Sequence, residues 1–238
     1  MATRRQQRSR ASSAYAIPNQ VFLAIPWRTV RPKYDRVIDD LKSKFPTSFV
    51  IVGREEGQEA EDLLEIIKDR LLSSSYAIFD ATNGNANVSL EFGFAEAHDI
   101  PRALYVSTHR ASRKGSDAPI IADLAGKRRN QYAQERALAR LLREFCSGHP
   151  YNKRFQQFLR ENYRGVTGPR MRSVKSLALK IIHQLDGSRE VRRADIVQNL
   201  LADPSRYKRR DIDQMILRLH REGLIRSQQG PFAKVQVA

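Results

Sequence analysis

Apolar positions in the first 110 or so residues alternate between two kinds of segment. Short apolar runs at Val21–Ile25, Phe49–Val52, Tyr76–Phe79 and Arg102–Val106 have strand length, and Pro26, Gly53 and Asp80 close the first three. Between them, Tyr34, Val37, Ile38, Leu41 and Phe45 recur at helical spacing, as do Leu63, Leu64, Ile67 and Leu71 within 60–72. A third helix is predicted over 91–99. Strand and helix alternating in this way predict βαβ units around a parallel sheet, hence an α/β domain.

The pattern then changes. Residues 117–147 begin irregularly at Ala118-Pro119 and become a long basic helix from about Asn130, with Leu138, Leu141, Leu142 and Phe145 as its apolar stripe. A short helix over 153–163 follows. Gly165, Gly168 and Pro169 within five residues predict a linker over 165–172. Helices are predicted over 174–185, 192–201 and 207–222, and segments 224–227 and 234–237 flank a Gly-Pro turn as a hairpin. Three helices and a terminal hairpin resemble a winged helix-turn-helix, a variant of the helix-turn-helix DNA readers. The predicted layout is a disordered basic tail over 1–18, an α/β domain over 19–164, the linker, and a winged-helix domain over 173–238.

Composition sharpens this picture. The formal net charge is +16. Residues 21–101 are nonetheless net acidic, so the positive charge lies downstream and in the tail, which suggests a polyanionic partner for the downstream half. A lone cysteine, Cys146, excludes an intrachain disulfide and fits a reducing cytosol. The five histidines are scattered without metal-ligand spacing, and neither a metal nor another cofactor is expected. No apolar run approaches the length of a membrane span, and residues 1–15 lack the apolar core of a secretory signal, so a cytoplasmic protein without membrane contact is expected.

The chemistry concentrates between Tyr76 and His98. Asp80 is predicted at the carboxyl edge of a parallel strand, where open α/β sheets place their ligands. A Thr/Asn/Gly loop follows, and Glu91 is predicted in the first turn of the next helix, among unpaired N–H groups. Two carboxylates converging on one crevice suit chemistry at a sugar anomeric carbon. Plainer roles exist for the same residues. Asp80 can cap the following turn through Asx-type hydrogen bonds, and Glu91 can complement a helix dipole. Tyr34 reads as packing and His98 as structural, while Trp27 serves equally as a core plug or a base-stacking platform.

The residues Asp80-Ala-Thr82, Asn85-Ala-Asn87-Val88 and Glu91-Phe-Gly93-Phe-Ala95 reproduce the spacing of a strand-borne Asp-x-Thr, an Asn-x-Asn-Val loop and a Glu-led helix. In this the segment from Val21 to about Val106 resembles the nucleoside 2-deoxyribosyltransferase-like family, nearest to its branch of TIR-like, predicted nucleotide-binding proteins. Asp123, Leu124 and Tyr132 are similar to the segment following the sheet in such proteins. The resemblance implies a Rossmann-like or flavodoxin-like sheet and cleavage at the N-glycosidic bond of a nucleoside, nucleotide or NAD-like molecule. It implies Glu91 as nucleophilic or charge-stabilising carboxylate, Asp80 as the substrate-orienting one, and Ile25, Pro26 and Trp27 as the loop around base and sugar. Thr82, Asn85 and Asn87 suit ribose or base contacts, and Ser89 with the helix opening suits a phosphate. Asn85 stands where deoxyribosyltransferases carry another acid and the first loop is bulky, which leaves hydrolysis or binding without turnover open.

Downstream, Lys127, Arg128 and Arg129 adjoin a helical stripe of Arg136, Arg140 and Arg143. Lys208, Arg209 and Arg210 open the last predicted helix, where recognition helices meet nucleic acid, although Asp211 and Asp213 weaken that field. The expected function is a nucleotide-binding, homo-oligomeric effector that cleaves a nucleotide or NAD-like molecule, of the kind found in bacterial antiviral defence. The alternative is a nucleotide-sensing, DNA-binding regulator without catalysis.

Overall fold

The computed structural model describes residues 16–52, 60–109, 128–185, 190–205, 207–228 and 234–238, with the backbone alone at 60–62. Residues 1–15 of the tail predicted over 1–18, Gly53, the segment containing Pro119, Asp123 and Leu124, Lys127 and the Gly-Pro turn of the hairpin lie outside the described residues, while Ile17 and Pro18 of that tail belong to a strand. The chain divides into two compact units. One is built from Gln20–Asp40 and Phe49–Glu144, the other from Ile17–Asn19, Leu41–Ser48 and Phe145–Ala238.

The first unit is an α/β layer structure. In chain order its elements are β1 (Ile17–Ala24), α1 (Arg31–Lys42), β2 (Ser48–Val50), α2 (Ala60–Leu72) and β3 (Ser74–Asp80). A 3₁₀ turn (Thr82–Gly84), α3 (Ala86–Ala97), β4 (Arg102–Ser107), β5 (Arg129–Tyr132) and α4 (Glu135–Gly148) follow. The five strands are ordered β2-β1-β3-β4-β5, the flavodoxin-like doubly wound order. Strands β3, β4 and β5 pair in parallel, with Asp80 opposite Tyr105 and Ser107 opposite Tyr132. The order reverses direction between β1 and β3, so their carboxyl ends flank the crevice in which such sheets bind ligands.

Strand alternation sorts the core onto two faces. Phe22, Ala24, Ala77 and Phe79 pack with Val88, Phe92 and Ala95 of α3 in one cluster. Val21, Leu23, Ile78 and Asp80 alternate with them and point the other way, and all are buried. The observed strand β1 starts earlier than its apolar run because Gln20, although polar, is buried and donates to Ser73 Oγ and Ser74 Oγ at 3.0 Å.

Two boundaries differ from the sequence reading in ways that move the site. Helix α3 begins at Ala86 rather than Glu91, since Asn85 adopts an extended conformation and its side chain accepts from Asn87 N and Val88 N. The helix predicted from Asn130 is instead β5 followed by a helix from Glu135. Arg129–Tyr132 is polar and carries no apolar run, so only its pairing with β4 marks it as a strand.

The second unit contains α5 (Pro150–Asn162), α6 (Gly168–His183), α7 (Arg193–Leu201) and α8 (Arg209–Arg221). Short strands β6 (Val191–Arg192), β7 (Ile225–Ser227) and β8 (Lys234–Val237) form an antiparallel sheet in the order β6-β8-β7. Ile181, Ile182, Ile196, Ile212, Ile216, Leu219 and Val235 lie in its common core. Gly165 and Gly168, in the segment predicted as a linker, have φ of 76° and 58°, and α6 starts at the second of them.

Helix α8 stops at Gly223, which has φ of 63°. A Cβ there would sit 2.9 Å from Arg154 Nη2. The Gly223→Ala variant is expected to lose about 1–2 kcal/mol in urea denaturation, because it adds left-handed strain and displaces that guanidinium. An unchanged midpoint would show that the α8 terminus is not held in this conformation.

Candidate functional site

Asp80 ends β3 at the sheet's carboxyl edge, as the sequence predicts, but it does not face solvent. Its exposure is 0%. Oδ2 accepts from Tyr34 OH at 3.0 Å and from Tyr132 OH at 2.6 Å. Oδ1 accepts from Thr82 N at 3.0 Å and, through a very short contact, from Thr82 Oγ1. Thr82 Oγ1 accepts in turn from Ser107 N at 2.8 Å, which leaves its own proton for Asp80. One carboxylate therefore collects donors from α1, β5 and the turn after β3. Tyr34 and Tyr132 meet edge to face at 6.4 Å above it.

The electrostatics agree with that pattern. Burial pushes the Asp80 carboxyl up, while its hydrogen bonds from Thr82, Tyr132 and Tyr34 act in the opposite direction. Burial, with the adjacent Asp80 charge, pushes both tyrosine hydroxyls well above their ordinary range, so both remain donors. The substrate-orienting role expected of Asp80 would need acceptors that this network occupies. Its acceptor capacity is consumed within the protein, and the Asx-type turn to Thr82 is the role the sequence also allowed. Thr82, likewise 0% exposed, is spent on the same network.

Glu91 is the opposite case. It lies in the second turn of α3, between the buried positions Val88, Phe92 and Ala95, and is only partly exposed. No hydrogen bond or ion pair joins its carboxylate to any other described residue. Burial alone raises its pKa to about 7. A carboxyl poised there divides between its two protonation states at neutral pH, which suits acid–base or nucleophilic work.

The remaining predicted residues separate by whether their polar groups are still unspent. Asn85 caps α3, and Ser89 Oγ donates back to Asn85 O at 3.1 Å. Helix α3 thus opens at Asn85, which puts Ser89, expected with the helix opening to suit a phosphate, in its first turn and Glu91 in its second. Asn87 is exposed. After β1, Ile25 is partly buried, Pro26 is buried, and Trp27 is 49% exposed, so Trp27 is no core plug. His98 stacks on Phe94 at 4.4 Å, away from the helix start.

Sequence reasoning missed two groups. Arg31 lies 4.1 Å over the Trp27 ring and donates from Nε to Asp35 at 2.7 Å, while its Nη1 is buried without a partner. Thr29 Oγ1, in the same loop, is also buried and unpartnered. Thr29 lies in the loop after β1 and Arg31 opens α1, on the side where sheets of this order bind their ligands. The four-residue spacing from Trp27 to Arg31 was the available signal. Tyr132 was named only through the family resemblance; its bond to Asp80 rests on β5, which has no apolar signature.

A hollow of about 590 Å³ in the first unit lies elsewhere, lined by Asp99, Ile100, Pro101, Arg102 and Arg128 at the amino end of β4. Arg102 there pairs with Glu96 at 2.9 Å. The cationic stripe of the sequence is largely compensated: Arg143 lies 3.5 Å from Asp40 and Arg140 3.9 Å from Glu144. Among the described residues no cluster of three or more His, Cys, Asp or Glu could hold a metal ion, and no helix is long and apolar enough to cross a membrane. Cys146 is buried, its thiol pushed up to about 12, which makes it an inert core group.

These environments assign different behaviours to the two acids. Asp80→Asn is expected to cost about 2–4 kcal/mol in chemical denaturation, because an amide places N–H groups against tyrosine and threonine donors. Tyr132→Phe is expected to cost about 1–2 kcal/mol. Both losses should appear without ligand, and a fully stable Asp80→Asn would refute the network as a structural hub.

No protein-family model matches the chain, and no curated protein matches it. Among solved structures it is similar to the CMP N-glycosidase BcmB of Clostridium botulinum, at 17% identity over 53% of this chain and 98% of that one, with a TM-score of 0.38. It is also similar to a conserved protein from Enterococcus faecalis V583, at 13% identity over 55% of this chain and 99% of that one, with a TM-score of 0.37.

Proposed function

We propose that the first unit binds a nucleotide at the carboxyl ends of β1 and β3 and hydrolyses its N-glycosidic bond, with Glu91 as the acting carboxylate. The observation that carries this reading is the Glu91 carboxylate itself, partly buried, without a partner among the described residues, and raised to about 7 by burial. Such a group is costly to keep and has no structural task in view. Its ionised form would stabilise positive charge at C1′, or bond to it, as the C1′–N electron pair leaves with the base. Water then supplies hydroxyl to C1′ and a proton to the base. Trp27, 49% exposed, offers a face for the base.

Asp80 serves this reading indirectly. By fixing Tyr34, Tyr132 and the turn at Thr82, it holds rigid the edge from which α3 departs.

A second reading, a nucleotide-sensing regulator, is favoured by the second unit. Its α6–α8 helices and β6-β8-β7 sheet match the element order of a winged helix, and Lys208, Arg209 and Arg210 are exposed at the start of α8. Asp213 there is engaged by Arg193 at 2.7 Å, which removes part of the opposing field.

The test is chromatographic release of free base from CMP, dCMP, other nucleoside monophosphates and NAD. Turnover is expected for the wild type and at least a thousandfold less for Glu91→Gln. Saturable binding without release, with duplex DNA retained by the wild type but lost in K208A/R209A/R210A, would establish the regulator instead.

The pH dependence of activity and of stability should run in opposite directions. Activity needs the ionised carboxylate, so kcat/KM should rise with pH through about 7. The folded pKa lies above the ordinary carboxyl value of 4.5, so the Glu91 contribution to stability is complete below 4.5 and lost as pH rises through about 7. Glu91→Gln should therefore be the more stable protein at pH 8.5, by up to about 2–3 kcal/mol, and lose that advantage near pH 4.5. Thermal melts of both proteins across this range supply the check.

A further inference from the structure

The second unit contains a hollow of about 810 Å³ to which the proposed chemistry assigns no part. Lys42, Arg172, Lys175, Lys180 and His183 contribute to its wall, with Leu179 and Leu200 as apolar members. The one carboxylate in the wall, Asp203, is already neutralised: Lys180 Nζ lies 2.7 Å from both of its oxygens. Ser205 N and Lys180 together hold the Asp203 carboxyl down at about 2, so it remains an anion committed to that pair.

Two cations are left over. Arg172 and Lys175 make no hydrogen bond or ion pair with any described residue. Arg172 is exposed at the rim, while Lys175 is only partly exposed. Burial and the neighbouring Lys44 charge hold the Lys175 ammonium below the ordinary lysine range. A partly desolvated ammonium beside a second cation is unfavourable until an anion enters. The volume falls in the range of small-ligand pockets, about 300–1,000 Å³, and a concave wall suits a compact ligand better than a duplex.

We propose that this hollow binds a phosphorylated small molecule, with Arg172 and Lys175 on its phosphates and its flat apolar part against Leu179 and Leu200. Arg172 supplies a planar fork matched to phosphate oxygens, and Lys175 supplies a point charge deeper in the wall. Ser43 and Ser176 add hydroxyls to the wall. Nucleotides and inorganic polyphosphates share this chemistry, and the leucine members favour the nucleotide. The site is distinct from Glu91 and stands whether or not glycosidic cleavage occurs.

The experiment is calorimetric titration of the full chain with inorganic tripolyphosphate, ATP and adenosine at low salt. Tripolyphosphate and ATP are expected to bind and to compete with each other, ATP more tightly, and adenosine alone is not expected to bind. R172Q/K175Q should weaken both phosphorylated probes at least tenfold, while Glu91→Gln and Trp27→Ala leave tripolyphosphate binding unchanged. That separates failure at this site from failure of the glycosidase reading. R172Q alone, on an exposed side chain, should fold normally and still weaken tripolyphosphate by about threefold. Affinities indifferent to R172Q and R172Q/K175Q, or no tripolyphosphate binding, would overturn the proposal. So would variant-sensitive binding of duplex DNA that tripolyphosphate does not displace.

Discussion

The buried carboxylate of Asp80 is the contact on which the first unit's functional edge depends. Backbone pairing holds β5 on β4 and Ala81 N on Tyr105 O, and a side chain must then tie α1 to this edge. Asp80 does so by accepting from Tyr34, Tyr132 and Thr82 at once. A fully buried carboxylate is tolerable only when its lone pairs are filled, and here they are. The arrangement is also hard to replace piecemeal, since removing the acid strands at least three donors out of reach of water.

Glu91 shows what the same side-chain chemistry does in a different setting. Both acids are raised by burial, yet Asp80 has four donors to counter it and Glu91 has none among the described residues. Asp80 is therefore held in a closed structural network, and Glu91 is the one whose proton affinity sits near neutrality. Environments that drive two carboxyl groups toward different roles are a recurring basis for assigning them. The sheet's two faces enforce the difference. Asp80 follows Ile78 onto the α1 side, whereas Phe79 points into the cluster beneath α3.

The α/β class and the order of elements were legible because apolar runs and helical stripes are strong, local signals. Helix α2 matched its predicted span at both ends, and Asp80 fell at the end of its strand as expected. What could not be read was anything decided by a distant partner. Strand β5 is Arg-Asn-Gln-Tyr and has no periodicity of its own; β4 makes it a strand. Gln20 lies inside β1 because Ser73 and Ser74 satisfy it. The start of α3 was legible in principle, since Asn85 is a good N-cap residue, but a helix interior containing Asn87, Ser89 and Gly93 argued weakly for itself. Asp80 and Thr82 were read as separate ligand contacts, whereas Thr82 donates to Asp80 from its backbone and its hydroxyl. Whether they faced inward or outward depended on two tyrosines far away in sequence.

The unspent polar groups are more informative than the satisfied ones. The Glu91 carboxyl, Arg31 Nη1, Thr29 Oγ1 and the Lys175 ammonium each carry a desolvation cost with no compensating contact among the described residues. A chain shaped by stability alone would relieve them cheaply: Gln at 91, a shorter apolar residue at 29, an uncharged residue at 175. Thr29 and Arg31 follow β1, Glu91 lies on α3, and Lys175 lines the walled hollow of the second unit, which carries excess positive charge. Costs scattered at random would argue only for an imperfect sequence. A cost that lies in a walled hollow with excess positive charge, as at Lys175, argues for an anion from outside the chain.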